Sequence, residues 1–171
     1  MEPLCVEFYP SPLGQLTLAS EGERLLGLWV EGQRHYGGRY DLARATPCAT
    51  APLCAACDWL RAYFADRRPT ISSLPLAPGG TPFQSAVWQL LQKIPYGCTT
   101  TYGALAAQLR SQGIAASAQA VGSAVGRNPI SIIIPGHRVL AAAPAAAWSY
   151  AAGARAKQAL LRHEGALLAV G

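Results

Sequence analysis

The spacing of apolar positions changes along the chain, and each change predicts a different element. Through residue 30 the apolar residues fall in short runs, CVEFY, LTLAS and LLGLWV, broken at Pro12-Leu13-Gly14 and Glu21-Gly22. Runs of this length between glycine and proline signals predict strands joined by tight turns. From Leu53 to about Asp66 the period lengthens. Leu53, Cys57, Leu60 and Phe64 recur at i, i+4, i+7 and i+11, the stripe of an amphipathic helix. On that stripe Cys57 is expected as a small core hydrophobe. Three prolines and two glycines between Arg67 and Gly80 then mark a linker. The pattern predicts an α/β lobe over residues 1–75 and a second, helical lobe over 81–171.

The second lobe opens on a strong helix start. Thr81 suits the N-cap, Pro82 the first helical position, and Gln84 the returning bond of a capping box. Phe83, Val87, Leu90, Leu91 and Ile94 share one face, and Pro95-Tyr96-Gly97 ends the helix. A second helix carries Tyr102, Leu105, Ala106 and Leu109 on one side and breaks at Gly113. Ser117 caps a third, from Ala118 to about Val125, closed by Gly126-Arg127-Asn128-Pro129. Helix, glycine-bearing break, helix is the outline of a helix-turn-helix. A β-branched run, Ile130 to Ile134, leads to Pro135-Gly136-His137-Arg138, and a last amphipathic helix is expected from about Arg155 to His163. The alanine-rich stretch Ala141–Ala147, interrupted by Pro144, reads as a loop.

Composition narrows the class. Of 171 residues, 51% are apolar and 13% charged, which excludes a disordered chain or a coiled coil. No apolar run reaches the ~20 residues of a membrane span, and the N-terminus lacks a signal-peptide layout. These features predict an intracellular, cytoplasmic protein (nucleoid-associated in a bacterium or archaeon) with no membrane partner. The net charge of +5 suits a polyanion without proving one. Five cysteines, an odd count, argue against a disulfide framework. Cys54-x-x-Cys57 has no second pair or closely spaced histidines to complete a zinc site.

TPFQSAVWQLLQKIPYGCTTTYGALA, AVGSAVGRNPISIIIPGHRV and KQALLRHEG, in that order, closely resemble the C-terminal domain of O6-alkylguanine-DNA alkyltransferases, from about Thr81 to Gly165. SPLGQLTLAS and WLRAYF resemble that family's first lobe. The resemblance implies an RNase H-like strand-rich lobe followed by a helical lobe with a winged-helix-like helix-turn-helix. It also implies a monomer that enters the minor groove, flips a damaged guanine and moves its alkyl group to a cysteine in Pro-Cys-His-Arg-Val. By the same resemblance, His137 is the base, Glu164 its orienting carboxylate, and Asn128 the link from the helix-turn-helix to the active-site strand. Tyr102 lies at the phosphate of the rotated nucleotide and Tyr150 in the loop over the base. Ser117, Ala118, Ala120 and Gly122 fall on the groove face, with Gln119, Arg127 and Arg138 among the DNA- and lesion-binding residues. Small side chains there suit a groove only ~6 Å wide.

The departures decide the expected function. Gly136 stands where the acceptor cysteine belongs, so nothing can hold the alkyl group. Gln119 replaces the arginine that fills the gap left by the flipped base, and Arg127 is a stand-in at the helix end. The pocket loop reads Trp148-Ser149-Tyr150-Ala151-Ala152-Gly153, where Ala151 lacks a hydroxyl for the lesion. Cys5 matches one ligand of a zinc site found in some members, but Glu21 and Leu26 occupy others, so no metal or cofactor is expected. The resemblance therefore implies a non-transferring, alkyltransferase-like binder of alkylated guanine in double-stranded DNA that passes lesions to excision-repair proteins. Two alternatives stay open. One is a transferase carrying an introduced Cys-to-Gly change, against which Gln119 and Ala151 speak. The other is a different enzyme using His137 and Glu164 in the vacated pocket.

Overall fold

The computed structural model describes residues 2–142 and 149–166. Two compact units are formed, Met1–Gly79 with Pro129–Ser131, and Gly80–Asn128 with Ile132–Gly171. The fold is mixed α/β, with a strand-rich N-terminal lobe and a helical C-terminal domain.

In the first unit β1 (Leu4–Ser11), β2 (Gly14–Glu21) and β3 (Arg24–Val30) form antiparallel pairs. A two-residue strand, β4 (Thr46–Pro47), adds in parallel to β1, giving the order β3-β2-β1-β4. Leu16, Leu18, Leu25 and Leu28 are fully buried. Trp29 lies back over Gly27, where any Cβ would collide with the indole. That close approach is the reason for a glycine inside a buried strand.

Helix α1 (Ala51–Phe64) starts at Thr50, whose hydroxyl accepts from Leu53 N–H, with Pro52 in the first turn. Its buried face is Pro52, Leu53, Ala56, Trp59, Leu60 and Tyr63. Trp59 and Tyr63 stack at 5.2 Å, and the indole N–H donates to Thr70 O at 3.1 Å. This corrects the expectation for Cys57. The aromatic pair moves the centre of the buried stripe, leaving Cys57 half-buried at its rim.

The second unit contains α2 (Pro82–Leu91), α3 (Tyr102–Ser111), α4 (Ala118–Gly126) and α5 (Ala154–His163). Both capping-box bonds at Thr81 and Gln84 form, at 3.1 and 3.0 Å. Two residues each from β5 (Thr100–Thr101) and β6 (Val139–Leu140) pair in parallel. The Ile130–Ile134 run is not the strand its β-branched residues suggest. It makes a single bridge, Ile130 to Leu28, and then turns, with Ile132 at φ 71°. Every residue of the run is buried, so its apolar character serves packing, and the turn delivers Gly136 to its place. Among the described residues no helix is long and apolar enough to cross a membrane.

Candidate functional site

The chemistry of the second unit converges on Glu164, at the C-cap of α5. One oxygen accepts from Arg138 Nε at 2.7 Å; the other accepts from Arg138 Nη2 at 3.0 Å and meets His137 Nε2 at 2.7 Å. Arg138 Nη1 also donates to Ile94 O at 2.6 Å. All three side chains are buried. An ion pair this deep needs every lone pair and proton matched, and the forked guanidinium supplies that match.

Burial pushes the His137 imidazole below its ordinary pKa, Glu164 pulls the other way, and Arg138 and Lys157 add to the depression. The ring is therefore neutral near pH 7. A carboxylate can only accept, which assigns the proton to Nε2 and leaves Nδ1 as an acceptor. Nδ1 is buried and has no hydrogen-bond partner among the described residues. A neutral imidazole held by a carboxylate, with its other nitrogen open, is a poised base.

His137 is presented by a single 3₁₀ turn, Gly136–Arg138. Asn128 reaches from the end of α4 to donate to Ile134 O at 2.7 Å, and Gly136 N–H donates to the same carbonyl at 2.8 Å. So the turn is tied to α4 through one side chain. Gly136 itself is buried. A Cβ placed there would lie 3.3 Å from Val125 Cγ1 and 3.4 Å from Asn128 Nδ2.

Tyr102 opens α3, and its ring lies 3.7 Å from where a Cβ on Gly122 would stand. Burial raises its hydroxyl pKa. Lys157 approaches the same ring, with Nζ 6.0 Å from the centroid. It is fully buried, donates to Val139 O at 2.6 Å and Ser149 O at 3.1 Å, and burial lowers its pKa to about 8. The sequence reading missed Lys157. Its signal was spacing, since Lys157, Leu161 and Glu164 recur at i, i+4 and i+7 on one helical face. The Tyr150 ring stands edge-on to His137, centroids 6.4 Å apart. Ala151 is half-buried nearby in the chain, and Trp148 lies outside the described residues.

The α3–α4 pair has one buried and one open side. Val121, Ala124 and Val125 face inward, and Trp88 Nε1 donates to Ala124 O at 2.8 Å. Ser117 caps α4 by accepting from Ala120 N–H at 3.1 Å. Ser117, Ala118, Gln119, Ala120 and Arg127 are exposed, with Gly122 half-buried. Arg138, which the sequence places with the DNA-facing residues, does not join them. Its guanidinium is buried against Glu164 and Ile94 O, because the lone buried carboxylate requires a cation.

Two family descriptions together match nearly the whole chain. The 6-O-methylguanine DNA methyltransferase ribonuclease-like domain matches residues 4–78, and that family's DNA binding domain matches residues 82–166. A methylated-DNA–protein-cysteine methyltransferase of Mycobacterium bovis is 42% identical over 154 residues, 90% of this chain and 88% of that one. One of Shigella flexneri is 50% identical over 111 residues, 65% of this chain and only 63% of its own length. A Mycobacterium tuberculosis OGT solved in complex with DNA superposes with a TM-score of 0.80 at 39% identity, covering 94% of this chain and 92% of that one. The fold and these matches define a protein of two units, a strand-rich one that matches the family's ribonuclease-like domain and a helical one that matches its DNA binding domain. The chain belongs to the 6-O-methylguanine-DNA methyltransferase family, the alkylguanine-DNA alkyltransferases.

Proposed function

We propose that this chain binds O6-alkylguanine in duplex DNA, docking the exposed face of α4 in the minor groove and holding the flipped base without taking its alkyl group. One observation carries the reading: His137, Arg138 and Glu164 are buried and bonded together next to Gly136, which has no side chain and whose turn Asn128 ties to α4 through Ile134 O. The relatives are named for transfer to a protein cysteine. With glycine here, the base remains and the acceptor is gone. The small exposed residues of α4 support groove entry, and Gln119 is the residue placed to fill the vacated stack. The protein acts as a monomer, and its bound complex marks the lesion for excision-repair proteins.

Fluorescence anisotropy with matched duplexes, one carrying O6-methylguanine, tests this directly. Tighter binding of the lesion duplex with unchanged protein mass is the expected result. Equal affinity for both duplexes would remove lesion recognition from the proposal. A second reading rests on the open Nδ1 of His137, as in an enzyme that activates water or a small molecule. Release of an alcohol from O6-alkylguanine DNA, with unmodified guanine left in the strand, lost in His137→Ala, would favour it.

A further inference from the structure

The sheet of the first unit has an open edge. β2 pairs with β1 along its whole length, but on the other side β4 covers only Cys5 and Val6. Cys48 N–H donates to Val6 O at 3.2 Å, and there the ladder stops. Its next rung would use the Cys48 carbonyl, which instead accepts from Thr50 N–H at 3.1 Å as the chain turns into α1. Val6 O thus points away from β2, and main-chain groups alternate in direction along a strand whose register is unbroken. Phe8 and Pro10 therefore turn their main-chain groups outward as well. Among the described residues, Phe8 N–H and the carbonyls of Phe8 and Pro10 have no main-chain partner. Proline suits its position, because the N–H it lacks would face the open edge.

The edge borders a cleft of about 510 Å³, lined by Glu7, Phe8 and Pro10 on β1 and by Cys54, Asp58 and Arg61 on α1. A free strand edge beside a helix is a frame for strand addition. There main-chain bonds give affinity, and side chains on alternate positions give specificity. The two faces of β1 ask for different chemistry. Asp58 and Arg61 satisfy one another at 2.7 Å, which leaves Glu7 as the cleft's carboxylate with no ion pair among the described residues. Phe8 points to the opposite face, as successive strand residues do, and is 48% exposed. A segment laid along this edge alternates in the same way, so one residue meets Glu7 and the next covers Phe8.

We propose that the free edge of β1 takes up an extended segment of a partner protein as an added strand, one in which basic and apolar residues alternate. Its main chain bonds to Phe8 N–H and to the carbonyls of Phe8 and Pro10. Its basic side chains face Glu7, and its apolar ones lie on the Phe8 ring.

The test is a heteronuclear NMR titration of the isotope-labelled full chain with a capped peptide of alternating lysine and valine, with affinities read at the Phe8 amide. That signal should shift, and its hydrogen exchange, fast on an open edge, should slow at least tenfold at saturation. A peptide with glutamate in place of lysine should bind at least tenfold more weakly. Glu7→Lys should reverse that preference, a result no unfolded variant can give. N-methylating either the valine or the lysine amides blocks one edge of the peptide. One of these two forms should therefore lose at least tenfold in affinity, while the other binds like the unmodified peptide. Should Glu7→Lys unfold, the N-methylated pair decides with the parent chain alone. Equal binding of both N-methylated forms would overturn the proposal, as would an unmoved Phe8 amide at millimolar peptide. So would Phe8 protection that grows with protein concentration alone, which gives the edge to a second copy of the chain.

Discussion

Gly136 removes a single side chain from a cluster whose other members are in place, and that makes the residue testable by restoration. Incubation with O6-methylguanine DNA should leave the parent's mass unchanged. In Gly136→Cys the new Cβ needs only small shifts from Val125 and Asn128, both side chains, so the thiol should be accommodated beside neutral His137. Slow transfer from O6-benzylguanine is expected, seen as a benzyl mass gain on that cysteine and abolished by His137→Ala. A folded Gly136→Cys with no gain would mean that the pocket differs in more than the missing thiol. Glu164 is the opposite case. Glu164→Gln keeps the shape but leaves the Arg138 charge buried without its counter-charge, which typically costs about 3–5 kcal/mol. Urea unfolding should show that loss, and an unchanged midpoint would show the pair to be unimportant. The pH response follows from His137. Its folded pKa lies below the ordinary 6.5, so the unfolded chain takes up that proton first as pH falls. The contribution is intact above about 6.5 and is lost as pH drops toward the folded value. His137→Gln should flatten that part of the stability profile.

At the scale of elements, the sequence was most informative where one local signal settled the matter. The capping box at Thr81 and Gln84, the Ser117 cap and the three strand runs all stand where their residues predict. What escaped was set by tertiary context. The parallel pair of β5 and β6 joins residues about forty apart with two positions each, too short for a periodic signal. The Ile130–Ile134 run has strand composition, but its chain turns at Ile132, φ 71°, and Asn128 and Gly136 both donate to the Ile134 carbonyl at its end. Arg138, expected among the DNA- and lesion-facing residues, is held instead by the buried carboxylate of Glu164, a partner 26 residues away that no local pattern announces. The legible part of the site was thus the cluster of types, and the illegible part was which of them face inward. Helix α4 gives the clearest test at this scale. Ala120 is exposed on its small face, so Ala120→Glu should leave the melting curve unchanged and weaken duplex binding at least tenfold. Parent-like DNA affinity in that variant would show that α4 is not the docking helix.

At the scale of the whole chain, the +5 charge is divided unevenly. The first 79 residues hold seven Lys and Arg against eight Asp and Glu; from Gly80 onward seven basic residues meet one acid, Glu164. That acid is buried with Arg138, so among the described residues the second unit's surface carries no carboxylate. A surface of one sign attracts a polyanion, and phosphate contacts release counterions, so affinity should fall linearly with salt on a log–log plot. Arg127 is exposed at the C-cap of α4, next to the proposed groove face. Arg67, exposed in the first unit, is a fair control. Anisotropy titrations of undamaged duplex at several salt concentrations should show Arg127→Gln with a slope shallower by about one ion. They should also show weaker binding at low salt that converges on the parent at high salt. Arg67→Gln should track the parent throughout. If instead Arg67→Gln lowers the slope and Arg127→Gln does not, the phosphate contacts lie on the first unit, and the charge division reflects solubility rather than DNA binding.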